Sequence, residues 1–420
     1  MQAAEPGSPR PAAEPVSLLT IAREWGRIGC IGFGGPPAHI ALLRALCVER
    51  RGWISASEFE DGIAATNMLP GPASTQLAIF CALRLRGARG ALIGGACFIV
   101  PGLIVILALS AVFLAAHPPL WIKDAALGAD AAVPVVALSA ALGLAPASWR
   151  RSGTPRPARV RWGCYLVAGG VAAALTGPFL VLILVGCGLL ELLVRTPPVR
   201  RGAVERPKAL LPLLAGPAIL PRPAILPRLG GAAKLAGAAV AAGGLLSVAW
   251  VAFKVGALSY GGGFVIVPLM QHDAVHTYHW MTSAQFLSAV ALGQVTPGPV
   301  VQTVAVVGYA AGGVGDGLLA SLVAFAPSFA LVLGGGSRFD LLRGNARVQA
   351  FLTGAGPAAI GAIAGATIPL GLGLAHLWQL AVLGLVAVWL LALRRGVVTA
   401  IVGAAALGVL AALAGASVVT

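Results

Sequence analysis

Two octapeptides, LPGPASTQ beginning at Leu69 and TPGPVVQT beginning at Thr296, place Pro-Gly-Pro inside apolar stretches that otherwise read as helix. No helix passes such a site unbroken. Proline suits the first turn of a restarted helix, where its missing N–H costs nothing. A helix restarting at Pro72, behind Pro70 and Gly71, aims the free amides of Ala73, Ser74 and Thr75 outward at the positive end of its dipole. One restarting at Pro299, behind Pro297 and Gly298, does the same with Val300, Val301 and Gln302. Such ends attract anions. Asn67 and Gln294, three residues before the prolines, and Gln76 with Thr303 add matched polar groups, which either face a solute or hydrogen-bond locally. GFGGPP (with Gly34 and Gly35) and SYGGGF (with Gly261 and Gly262) supply a second pair of breaks, where glycine permits close backbone approach. Arg27 and Lys254 stand one to two turns before these breaks. Cations within apolar segments mark polar pathways; the alternative is that both snorkel to an interface, with Glu24 at hand to pair with Arg27.

Other chemistries find less support. His272, His276 and His279 share a helical face at a spacing zinc sometimes uses, but the matching loop of the other copy holds no histidine, and no metal is expected. The run Gly261 to Gly263 is not GxGxxG, and no strand precedes it. No nucleophile or acid pair has supporting partners, so neither an enzyme nor a cofactor is expected.

The elements that must position these residues follow from composition. Of 420 residues, 58% are hydrophobic and 10% charged, against roughly 25% charged in a soluble domain. Apolar runs such as Gly90 to Ala116, Ala125 to Leu144 and Val348 to Leu374 exceed the ~20 residues of a bilayer crossing. The class is an all-α polytopic membrane protein in contact with lipid. The net charge of +15 sits mostly between apolar segments, where Lys and Arg set topology rather than bind nucleic acid. Residues 1–16 lack a basic n-region followed by an apolar h-region and read as a disordered tail. The six cysteines form no CxxC pair and read as small core residues.

The chain repeats itself. One fixed shift carries Pro70, Gly71 and Pro72 onto Pro297, Gly298 and Pro299, Trp53 onto Trp280, Phe59 onto Phe286 and Arg27 onto Lys254, without a gap from Arg27 to Phe98. The match then fades, Pro101 and Pro327 missing by one. Residues 17–194 and 231–420 are the two copies, joined by a Pro-rich, basic, cytoplasmic linker over 195–230. Arg44, Arg50 and Arg51 precede the first Pro-Gly-Pro segment and Arg84, Arg86 and Arg89 follow it, whereas QHDAVHTYHWMTS and AGGVGDG around the second carry no Lys or Arg. By the positive-inside rule the first pair of flanks is cytoplasmic and the second external. Each Pro-Gly-Pro segment then re-enters on one side, and the copies are inverted, as in many secondary transporters. The expectation is about ten crossings, counting one broken crossing through each Gly-rich motif, plus two re-entrant hairpins, with both termini outside. The alternative for each Pro-Gly-Pro segment is one tilted, kinked crossing.

GFGGPPAHI with ERRGW and LPGPASTQ in the first half, and SYGGGFVIVPLM, Trp280 and TPGPVVQT in the second, resemble the bacterial chromate ion transporter family in its long, duplicated form. The resemblance covers nearly the whole chain. It implies efflux of chromate, a tetrahedral dianion, across the cell inner membrane, with chromate resistance and exchange against protons. Sulfate or an organic acid is the alternative solute, and a homodimer stays open. A dianion leaving a negative interior gains ~4.6 kcal/mol per 100 mV, on the order of a thousandfold gradient. Proton carriers must be acids near the path; Glu58 and Asp61 are the candidates, their repeat partners being Gln285 and Ser288. Both also suit a plain place at the cytoplasmic interface beside Arg50 and Arg51.

Overall fold

A computed structural model describes residues 16–67, 69–115, 118–175, 180–195, 244–259, 264–335 and 345–414. Nearly all of the expected tail and linker, and Gly261 and Gly262, lie outside the described residues. Within them the chain is helical and no strand occurs. The first half runs α1 (Leu18–Ile31), α2 (Pro36–Arg44, prolonged by a π-turn Ala45–Arg50), α3 (Ala56–Thr66), α4 (Ala73–Phe113), α5 (Leu120–Ser152), α6 (Arg156–Leu175) and α7 (Leu180–Arg195). The second runs α8 (Leu245–Leu258), α9 (Val267–Gln271, prolonged by a π-turn His272–Thr277), α10 (Ser283–Val295), α11 (Thr303–Gly312), α12 (Val314–Gly335), α13 (Ala346–Leu372), α14 (Leu377–Ala387) and α15 (Val397–Leu413). Four of these helices, α4, α5, α12 and α13, are long and apolar enough to cross a membrane. Side chains such as Ile104, Leu175, Leu182 and Leu372 stand bare on the outside of the bundle, a surface that only lipid suits.

The sequence repeat is a structural one. The bounds of α1 and α8 correspond residue for residue, as do those of the two π-turns. The one-residue slip between Pro101 and Pro327 begins in the arm after Pro-Gly-Pro. There α4 starts as α-helix at Ala73, whereas the second copy begins with a tight 3-10 turn, Val300–Gln302. Gln76 is therefore the structural counterpart of Gln302 rather than of Thr303.

Each Pro-Gly-Pro segment is the tip of a hairpin rather than a kink in one rod. Glu58, in the first turn of α3, is ion-paired to Arg84, near the far end of the returning arm, and a Cβ on Gly62 would touch the Phe80 ring between them. The arm reverses again at Arg86–Gly87, where Gly87 takes φ 59°. Residues 88–113 then run back along it, Gly95 facing Ile79 and Gly94 facing Ala82. Gly313, at φ 81°, makes the same turn between α11 and α12.

The Gly-rich breaks differ from expectation. A single interrupted crossing would send α1 and α2 to opposite ends of the bundle. Instead Glu24 of α1 meets Arg51, just past α2, at 2.9 Å, and Lys254 of α8 meets Asp273 of the second π-turn at 2.5 Å. The chain doubles back between α1 and α2 and between α8 and α9, so each half holds two hairpins ahead of its long helices, and the N-terminal end of α1 lies on the Arg51 side. Gly34 and Gly35, at φ 97° and 73°, make the first reversal affordable to the backbone.

The halves interlock. α5 packs on α14 and α15, α13 packs on α6 and α7, and α5 and α13 pack on one another. Glycines make these approaches close, as small residues do between membrane helices. A Cβ on Gly361 or Gly169 would strike the carbonyl of Leu166 or Ala358, and one on Gly128 the carbonyl of Ala404. Of the cysteines, Cys47, Cys81 and Cys187 are buried, Cys97 is half-buried, and Cys30 and Cys164 are exposed. Gly361→Val should therefore destabilise the protein by about 2 kcal/mol or more. Gly186→Ala, whose added methyl meets nothing within 4 Å, should stay within about 0.5 kcal/mol. Thermal unfolding midpoints in detergent check both.

Candidate functional site

Both Pro-Gly-Pro tips, the first Gly-rich reversal and the end of α8 converge. Gly71 N–H donates to the carbonyl of Ser259 at 2.5 Å, and Gly298 N–H donates to the carbonyl of Gly32 at 3.0 Å. Gly71 and Gly298 are repeat partners, and so are Gly32 and Ser259, so each Pro-Gly-Pro tip is tied to the Gly-rich reversal of the other half. A Cβ on Gly35 would lie 3.7 Å from Val300 Cγ2, which sets the first Gly-rich turn beside the second tip. The long helices close over the same place. A Cβ on Gly71 would stand 2.9 Å from Ser328 Oγ of α12, and one on Gly102 of α4 would strike the Pro297 carbonyl.

The helix ends at these tips differ in detail from the expectation. Pro72 is the N-cap of α4 rather than part of its first turn, with ψ 101° and no side-chain cap. The first helical bond is Gln76 N–H to the Pro72 carbonyl at 3.0 Å, which leaves the amides of Ala73, Ser74 and Thr75 outside the helical ladder. At the second tip Pro299 is also an uncapped N-cap, but Gln302 N–H already bonds the Pro299 carbonyl at 2.9 Å. The tighter turn uses that amide, so Val300 and Val301 alone remain. The amides of Gly71 and Gly298 are used for the cross-links.

Buried polar atoms without a protein partner gather here. Among the described residues Thr75 Oγ1, Gln76 Oε1, Ser259 Oγ, Ser328 Oγ and Gln302 Oε1 have no partner, although native interiors leave few such atoms. Gln76 Nε2 donates to the Pro70 carbonyl at 2.7 Å and Gln302 Nε2 to the Ile99 carbonyl at 2.6 Å. Thr303 is consumed locally, its Oγ1 donating to the Val300 carbonyl at 2.8 Å. His39 is wholly buried between the first reversal and the first tip, Nε2 2.9 Å from the Gly32 carbonyl and Nδ1 3.3 Å from Ser74 Oγ, with its ring edge on Phe98.

Two cavities approach from opposite ends of α5. One, of about 210 Å³, runs from Arg151 past Leu144 and Gly356 to Thr66, Asn67, Gly71 and Ala73. The other, of about 380 Å³, runs from Pro118 past Lys123 and Gln285 to Asp130, Ser288 and Val306. Arg27 and Lys254 line neither. Arg27 is 55% exposed, 4.0 Å from Glu24, and Lys254 is held by Asp273. Glu58 is held by Arg84 at the open end of its hairpin, and Asp61 is exposed on the same helix. Among the described residues no group of three metal-ligating side chains occurs; the His272 and His276 rings lie 5.9 Å apart.

Sequence reasoning missed His39, Ser259, Ser328, Asp130 and Arg151. The signal was present for two of them. His39 stands in GFGGPPAHI, and Asp130 is a lone acid inside the Ala125 to Leu144 run; ionisable residues in apolar segments are functional candidates by default.

A helical bundle clothed in apolar side chains, with interrupted backbone and unpaired polar atoms at its centre, is the architecture of a membrane transport protein. The chain belongs to the chromate transporter family, whose profile matches it twice, over residues 19–192 and 246–409. It is 30% identical over 361 residues to the chromate transport protein of Cupriavidus metallidurans, covering 85% of this chain and 84% of that one. It is 29% identical over 377 residues to a probable chromate transport protein of Synechococcus elongatus (88% and 89%). It is also 29% identical over 359 residues to the chromate transport protein of Pseudomonas aeruginosa (85% and 82%). No solved structure matches.

Gly71→Ala tests the first tip. The residue sits at φ 124° with Ser328 and Gln76 against it, so the substitution should cost about 1–3 kcal/mol and displace the tip. Gly87→Ala has open space at φ 59°, ψ −154° and should cost about 1–3 kcal/mol from backbone strain alone, without the displaced neighbours. Thermal shift ranks the two.

Proposed function

We propose that this protein exports chromate from the cytoplasm across the inner membrane by alternating access, in exchange for protons, and so confers chromate resistance. The observation that carries the proposal is the set of donors at the first tip. The free amides of Ala73, Ser74 and Thr75 follow Gly71 at the positive end of a helix, the orphaned Ser328 hydroxyl stands against that glycine, Ser259 is bonded to it through its carbonyl, and the Ser259 and Thr75 hydroxyls are also unpartnered. A tetrahedral oxyanion accepts such hydrogen bonds on every oxygen, and charge-assisted bonds of this kind are the stronger ones. Val300 and Val301 offer two further amides at the second tip, with Gln302 beside them.

The topology supports the same reading. By the positive-inside rule the Arg44–Arg51 and Arg84–Arg89 flanks favour a cytoplasmic side for the first two hairpins, and the loops free of Lys and Arg at Trp280 and Gly313 favour the outside for the second two. The copies, residues 17–194 and 231–420, are then inverted, the end of α7 lying on the cytoplasmic side and the start of α8 on the outside. The cavity beside Arg151 faces the cytoplasm and the one beside Pro118 faces outward, with the two tips between them. Two routes ending at one pseudosymmetric centre are what alternating access needs. Arg151, at the mouth of the inner cavity and exposed, draws the dianion in by its field; Arg27 and Lys254, already paired, contribute less.

Everted membrane vesicles containing the protein should accumulate radiolabelled chromate, with sulfate competing, and control vesicles should not. Arg151→Gln should raise the half-saturating chromate concentration about fivefold at low salt and less at high salt, while Pro72→Ala should cripple uptake at normal expression. Equal uptake in wild-type and control vesicles would end the proposal. Single cysteines placed beside Trp53 and Trp280 should react with impermeant maleimide from opposite sides of the membrane. Labelling from the same side removes the inversion.

A further inference from the structure

The outer cavity ends on a carboxyl group that takes part in no ion pair among the described residues. Asp130 lies eleven residues into α5, roughly 15 Å from the Pro118 end at 1.5 Å per residue, about half a bilayer core deep. It is 2% exposed and sits at the floor of the 380 Å³ cavity and against a second, apolar one of about 200 Å³ lined by Leu109, Ile401 and Ala405. Ser288 Oγ, on α10, lies 3.0 and 3.1 Å from its two carboxylate oxygens. Among the described residues no Lys or Arg forms an ion pair with it.

The repeat makes this placement specific. Ser288 stands in the register of Asp61, and Gly356, the eleventh residue of α13, stands in the register of Asp130. On the outward side the carboxyl absent from the hairpin arm is supplied by the long helix instead. The helices packed around it bring no competing charge to the spot. The cavity residues of α4, α10, α11 and α15 do not titrate. α13 carries Arg347 in its first turn, at the opposite end of the bundle. α14 is capped by His376, one turn before Gln379, whose Nε2 donates to the Leu127 carbonyl at 2.8 Å. Lys123, two turns up α5, lines the same cavity nearer its mouth.

We propose that Asp130 is the proton carrier of the exchange, loaded from outside through the cavity beside Pro118. The inference rests on the transport reading above. A buried carboxylate without a cation is made tolerable by a proton, and cavity water delivers one: a hydronium O–H bond breaks as an O–H bond forms on Asp130, and the reverse occurs when the site has turned inward. Ser288 is a positioning residue. Its hydroxyl donates to the carboxylate and accepts from the neutral acid.

The test uses purified full-length protein in proteoliposomes with a trapped pH dye and labelled chromate, read in two modes. Chromate counterflow at equal pH on both sides reports the transport reading; proton movement driven by a chromate gradient reports Asp130. Asp130→Asn should lose the proton signal at least about tenfold, as expected for a coupling free energy of 1–3 kcal/mol, while counterflow falls less than about threefold. Asp130→Glu should recover part of the proton signal, and Asp124→Asn, on the same helix outside the cavity, should keep it. A wild-type proton signal in Asp130→Asn, or an equal loss in both modes, overturns the proposal; so does wild-type counterflow that moves no protons or moves sodium in their place. Absence of wild-type counterflow overturns the transport reading instead. Should Asp130→Asn fail to insert, Ser288→Ala decides: a shifted pH of half-maximal transport supports the assignment, and an unshifted one overturns it.

Discussion

Two backbone hydrogen bonds hold the centre of this protein together, and each joins the halves. Gly71 N–H to the Ser259 carbonyl and Gly298 N–H to the Gly32 carbonyl satisfy peptide groups that the broken helices release. Without them, buried peptide groups would go unpaired, at a cost of several kcal/mol per group. With them, the tips are fixed, and the next amides along are the ones left bare. The same pair of bonds therefore braces the fold and defines what the centre offers a solute.

That constraint orders the rest. Glycine is needed at 71 and 298 for positive φ, at 71 also because Ser328 of α12 closes over the tip, and at 102 because α4 passes close to the Pro297 carbonyl. The arms must be short, since they reach only to the centre and return. The long helices must carry the span, and they meet through Gly128, Gly169 and Gly361 because α5 and α13 have to pass close to the other half's last two helices.

Much of this was legible in the chain. Composition gave the class, and the recurrence of Pro-Gly-Pro with Trp53 and Trp280 gave the duplication and the hairpins, because proline and glycine act locally whatever surrounds them. The reversal at Gly32–Gly35 was not legible. A run of glycines permits both a kink and a turn, and the choice is made by Glu24 finding Arg51, a contact the sequence does not announce. Lys254 looked like a site cation for a related reason: periodicity shows depth along a helix but not the acid across from it, here Asp273, whereas Arg27 took the other of its two readings, beside Glu24 on its own helix. Ser259 and Ser328 come from helices far apart in sequence, and nothing short of the packed fold brings them to one glycine.

The exchange of partners between the halves bears on how the protein is made. The face of α5 around Gly128 is covered by Gly408 of α15, the last described helix to be synthesised. While the ribosome is still at work, the first half sits in the bilayer with that flank against lipid and its own final two helices waiting for α13. Closing that flank waits for α15, so a truncation near residue 400 harms the older part of the molecule as much as the newer.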